Sequence, residues 1–129
     1  MHRPASNPLP GLAPRVLIAL LVPGRVGQWS DYHAFADARS WLGITNAADV
    51  LSNLPFATVG AWGLWAFMRA GAATPSRAAW IAFSVALVAT AAGSAWYHAA
   101  PDNLRLVFDR IPIAWACVAL VAALLADRG

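Results

Sequence analysis

Three apolar runs, Ala47 to Met68, Ala78 to His98 and Leu104 to Ala126, dominate the chain after its first third. Each holds about the 20 residues that a helix needs to cross the hydrocarbon core of a bilayer. The first run is broken by Asp49, Ser52, Asn53 and Thr58, and the second is rich in alanine and glycine. The third carries Arg105, Asp109 and Arg110, with Pro112 as a first-turn or kink residue. Unpaired backbone groups are too costly in lipid, so runs of this length span as helices, and the predicted fold class is all-α: an integral membrane helical bundle. Pro55 should kink the first span and free the carbonyl of Leu51 one turn earlier. Gly60, Gly63, Ala86, Ala89, Ala92 and Gly93 would let the backbones approach closely.

The shorter stretch Val16 to Val22, introduced by Arg15 and closed by Pro23-Gly24, has signal-peptide length but no small-x-small cleavage site. It reads as a short N-terminal hydrophobic anchor over about residues 15–23, with an uncleaved signal peptide as the alternative. Met1 to Pro14 carries four prolines and is expected to be a disordered leader, leaving 15–129 as one membrane domain. Between the anchor and the first long run, Arg25 to Asn46 mixes Trp29, Asp31, Tyr32, His33, Asp37, Arg39 and Trp41 at no regular period, as an interfacial loop does.

Composition agrees with the pattern: 60% of the 129 residues are hydrophobic and 12% charged. All nine cations are Arg and all six anions Asp; the net charge of +3 is scattered singly between apolar segments, which excludes a nucleic-acid stripe. The single cysteine, Cys117, lies inside an apolar run and has no disulfide partner in the chain.

Spans joined by short loops run antiparallel, so the start of the first, the end of the second and the start of the third share one membrane face. Asn46, Asp49, Ser52 and Asn53 therefore meet Ser94 and His98, and Asp102, Asn103 and Asp109 join them. Ser94 and His98 differ by four positions, about 40° of rotation and about 6 Å of rise, so they share a helix face. A neutral imidazole is the commonest metal ligand, and Asp109 is placed to join it or to orient it. Zinc held there at about 2.0–2.1 Å from nitrogen would lower the pKa of water to about 7, with the serine hydroxyl facing a carbonyl. That is the chemistry of amide or ester hydrolysis.

The string Ser94-Ala-Trp-Tyr-His98 followed by Asp109, with Asn46-Ala-Ala-Asp49-Val-Leu-Ser52-Asn53-Leu-Pro55 upstream, resembles the alkaline ceramidases and their superfamily of seven-helix membrane hydrolases. His33-Ala-Phe-Ala-Asp37, Pro101-Asp102-Asn103-Leu-Arg105-Leu and Asp109-Arg110 resemble strings of bacterial ceramidase-like membrane proteins, and the likeness runs from Tyr32 to Ala126. It implies a zinc-dependent amidohydrolase that cleaves the N-acyl bond of ceramide-like lipids. His98 would be a zinc ligand, Asp109 a partner of the zinc-bound water, and Ser94 a site-lining hydroxyl. Asn46, Asp49, Ser52 and Asn53 would line this site or form a second one. The family completes its metal site with a late His-x-x-x-His pair, and no histidine follows His98 here. A fragment or a shortened inactive relative is therefore expected. Asp31, Asp37, Asn46 and Asp49 occupy the region of the family's calcium site without its spacing, which argues against calcium.

Simpler readings compete at each position. Asp109 and Arg110 could form an interfacial ion pair, Asn46 and Asp49 could cap a helix, and Ser52 and Asn53 could bond between helices. His33 could be a loop residue or a ligand donated in trans within a homo-oligomer, and Trp29, Trp41, Trp80 and Trp96 belong to interfacial belts. A non-catalytic membrane scaffold is the rival function. Arg3, Arg15, Arg69, Arg77 and Arg128 against Arg25, Arg39, Arg105 and Arg110 place the polar cluster outside a bacterial inner membrane by one arginine.

Overall fold

The computed structural model describes Trp29, residues 31–35, 37–70 and 75–128. The leader, the anchor at 15–23 and His2 lie outside the described residues. The chain divides at Tyr32 into two compact units, and the helices all belong to the second, His33–Gly129. In the first unit, Tyr32 N–H donates to the Trp29 carbonyl at 3.0 Å.

The second unit is all-helical. Helix α1 is Ala47–Leu51, α2 Leu54–Arg69, α3 Arg77–Ala99 and α4 Asn103–Ala126. Three stretches are long and apolar enough to cross a membrane: α1 with α2 as Ala47–Arg69, then α3 and α4. The protein is an integral membrane helical bundle, as its hydropathy pattern predicts. Helix α3 is its centre, packed against α1, α2 and α4.

Pro55 divides the first span as expected. It is the second residue of α2, and the chain turns through Ser52 and Asn53 before it. A proline has no N–H for the carbonyl four residues earlier, and the local carbonyls at this break find side-chain donors instead. Ser52 Oγ donates to Asp49 O at 2.7 Å, and Asn53 Nδ2 donates to the same oxygen at 2.9 Å. These bonds stay within one span, so the reading of Ser52 and Asn53 as interhelical ties is corrected: they stitch a proline break.

Small residues face inward and large ones outward. Ala86 and Ala123 are fully buried, and Gly60, Ala91, Ala116 and Ala119 are buried with them. Trp62, Met68, Val118 and Leu125 are each about two-thirds exposed on the outer surface. Lipid tails solvate large apolar side chains as well as a protein core does, so helix association depends on how closely the backbones fit. A Cβ on Gly60 would lie 2.9 Å from Ser84 O and 2.8 Å from Val88 Cγ2. A Cβ on Gly93 would run into the Phe108 carbonyl oxygen and lie 2.9 Å from its carbon.

The Gly93 contact has a cause in α4. Pro112 sits inside that helix and cannot donate to the carbonyl of Phe108, four residues earlier. This is the carbonyl that rests on Gly93. A Cα–H···O contact there is a weak favourable term that only glycine permits at such range. At the opposite end, Arg77 Nε donates to Phe67 O at 2.9 Å and Trp80 Nε1 to Asp127 Oδ2 at 3.0 Å, closing α2 and α4 onto the start of α3.

Replacing Gly93 by Ala should lower unfolding stability in mixed detergent micelles by about 1–3 kcal/mol, the usual cost of overpacking. Ala92→Gly, at an exposed position of the same helix, should cost about 1 kcal/mol or less. Equal losses for the two would show that the α3–α4 seam does not rest on Gly93.

Candidate functional site

Asp109 enters the bundle interior through the seam that Gly93 creates. Its backbone nitrogen lies 3.4 Å from the position a Gly93 Cβ would take, so it is level with Ser94 on the neighbouring helix. Helical side chains lean toward their own N-terminus. In α4 this tilts the Asp109 carboxylate toward the loop, and in antiparallel α3 it tilts the His98 imidazole down from the last turn.

Asp109 and Ser94 are buried at 5% and 7% exposure. The Asp109 carboxylate is divided in its partners: Oδ2 lies 3.6 Å from Arg110 Nε, whereas Oδ1 is buried with no hydrogen bond. The expected ion pair with Arg110 exists and occupies one oxygen. His98 Nδ1 is buried and unbonded as well. Its ring packs on Phe35 at 4.7 Å between centroids and on Tyr97 at 5.3 Å. No hydrogen bond among the described residues joins Ser94, His98 and Asp109 to each other. Those residues also contain no group of three or more His, Cys, Asp or Glu arranged to hold a metal ion.

Ser94 faces elsewhere too. With Asn53 of the proline break, Thr90 and the apolar side chains of Leu87, Ile113 and Leu120 it lines an open groove of ≈ 280 Å³ on the face of α3 between α2 and α4. Asn53 thus lines the groove beside Ser94. Ser52 is exposed, and Asp49 offers its carbonyl to Ser52 and Asn53.

A strap made of residues 33–35 and 37–46 lies across the polar end of α3 and α4. His33 contacts Tyr97 OH through Nδ1 at 2.9 Å and donates from Nε2 to Asn103 Oδ1 at 3.1 Å, so one ring bridges both helices. An amide oxygen can only accept, which fixes a proton on Nε2. Phe35 packs edge-on to Tyr97. Thr45 Oγ1 donates to Ala99 O and Asn46 Nδ2 to His98 O at 2.8 Å, satisfying carbonyls that the end of α3 leaves open. These contacts with Tyr97 and Asn103 were not expected of His33.

Asn46 also departs from its expected capping role. It takes a left-handed conformation at φ 48 and makes no side-chain cap, because its amide is committed to α3. The cap comes from Asp37, whose Oδ2 accepts the Ala48 N–H at 3.0 Å while Oδ1 accepts Arg39 Nε at 2.6 Å. The Arg39 hydrogen bond, then the Ala48 amide, hold the Asp37 carboxyl below its ordinary value of 3.8. The spacing of Asp37 from Ala48 gave no capping signal, since the helix lies eleven residues on.

Comparison of the chain with family models, with curated proteins and with solved structures finds no match.

Because the folded strap favours ionised Asp37, its contribution is complete above the unfolded carboxyl value of about 3.9 and is lost as pH falls through the lower folded value. Amide-exchange protection of Ala48, corrected for intrinsic rates, should therefore hold at pH 5 to 7 and drop below about pH 4. In Asp37→Ala, which removes the acceptor, it should be low and flat across that window. Unchanged protection in the variant would remove Asp37 as the cap.

Proposed function

We propose that this chain carries half of a zinc site for hydrolysis of a lipid amide at the bilayer edge, as its resemblance to the alkaline ceramidases implies. The plasma membrane of a bacterial-type cell is its expected setting. The observation that carries the reading is the pair of orphaned buried atoms, His98 Nδ1 and Asp109 Oδ1, on antiparallel neighbours at one end of the bundle. More than nine in ten buried polar groups have a hydrogen-bond partner, and leaving one without costs about 1–3 kcal/mol. An imidazole nitrogen and a carboxylate oxygen are donor types that zinc accepts.

The fit covers part of a tetrahedral set, which needs further donors beyond these two. Zinc would supply Lewis acidity and bring the pKa of a water molecule to about 7. The residues of this chain have separable tasks. His98 offers the Nδ1 lone pair in its neutral form. Asp109 would accept a proton on Oδ1, the oxygen that Arg110 does not meet. Ser94 presents a hydroxyl to the amide carbonyl at the polar end of an apolar groove suited to a ceramide-like chain.

A membrane scaffold in which the polar cluster only packs helices is the second reading. It is favoured by the lack of a third metal donor among the described residues. Zinc content separates the two. Purified protein equilibrated with zinc and desalted should retain metal by mass spectrometry, and His98→Ala and Asp109→Asn should each weaken affinity by about tenfold or more. Equal zinc content in wild type and His98→Ala, with only thermal stability reduced, would select the scaffold.

A further inference from the structure

The strap ends in a tight turn that has no function in the site described above. Trp41 and Ile44 exchange backbone hydrogen bonds, N–H to carbonyl at 3.0 Å one way and 2.9 Å the other. The two residues between them, Leu42 and Gly43, have φ of 50 and 80. Glycine accepts that conformation freely. For leucine it is strained, since its Cβ crowds the following carbonyl. Asn or Asp would fit the position better.

The same leucine is 79% exposed, and Trp41 beside it is 60% exposed. In water this arrangement has two costs, a strained backbone and a bare apolar tip, with no packing to offset either. The base of the turn is held firmly: Asp37, Arg39, Thr45 and Asn46 bond it to α1 and to the last carbonyls of α3. Because α3 is long and apolar enough to span and ends at Ala99, bonds to His98 O and Ala99 O fix the turn at the depth where the span leaves the hydrocarbon. Trp favours that depth, and the exposed Arg39 side chain two residues earlier can reach the headgroup level.

We infer that the Trp41-Leu42-Gly43-Ile44 turn is a membrane-dipping tip, whose partner is the boundary between headgroups and acyl chains of the same bilayer. Its contact with lipid offsets the strain at Leu42 and sets the height of the strap over His98. The inference is independent of the zinc reading, because it concerns residues that contact neither His98 Nδ1 nor Asp109.

The test places an environment-sensitive nitrobenzoxadiazole label at Leu42→Cys, and separately at Trp41→Cys, in a Cys117→Ala background. The protein is held in nanodiscs of phosphatidylcholine and phosphatidylglycerol. Emission should be blue-shifted relative to the label in detergent-free denaturant, quenched severalfold more by lipids with a doxyl group near the headgroup than by aqueous iodide. Adding Leu42→Asn to the Trp41→Cys protein relieves the backbone strain while removing the apolar tip, and should move the label toward iodide access without loss of thermal stability. Iodide quenching equal to that of a free label overturns the proposal. Shielding from both quenchers overturns it as well, because the tip is then covered by protein.

Discussion

One glycine set against one carbonyl oxygen decides how this bundle packs. Pro112 deprives the Phe108 carbonyl of its helical donor, and Gly93 is the residue on α3 that lets that carbonyl come to rest on a backbone. In lipid there is little hydrophobic drive to bring helices together, so such close fits supply the association. The rest of the seam follows the same rule, with alanines at 86, 91, 116, 119 and 123 inside and the large side chains turned out. The position of Asp109 at the site end is inherited from this contact.

Asp109 is the residue next to Phe108. Any helix rotation that seats the Phe108 carbonyl on Gly93 also carries the Asp109 carboxylate into the interior. Burying a carboxylate is unfavourable unless it is paired, and Arg110 meets one oxygen at 3.6 Å while leaving the other bare. The strap satisfies the end of α3 in detail, with bonds to His98 O and Ala99 O and a histidine bridging Tyr97 and Asn103. Against that background the two unsatisfied atoms, His98 Nδ1 and Asp109 Oδ1, stand apart from otherwise well-partnered surroundings. These two atoms are the basis of the functional proposal.

The sequence made the spans legible because lipid imposes a length and a polarity that composition cannot disguise. It also revealed the proline break at Pro55 and the small residues at 60, 63 and 93. What it concealed were contacts set by loop conformation. Asn46 read as a cap from its place before a helix, yet a left-handed backbone turns its amide to α3. The cap came from Asp37, which no local motif couples to Ala48. His33 read as a loop residue, and its two bonds join partners 64 and 70 positions away. Ser94 shares a helix face with His98, but it also opens on the lateral groove, a division that helical periodicity alone does not resolve.

The account stands on the α3–α4 register at Gly93, and nuclear Overhauser spectroscopy on labelled protein in nanodiscs reads that register directly. A strong cross-peak between the Gly93 α-protons and the Asp109 amide proton is expected, alongside weak or no contact of Gly93 with lipid acyl protons. Gly93 α-protons that see acyl chains and not the Phe108-Asp109 backbone would place Asp109 on another face, and the shared polar site would be lost with it.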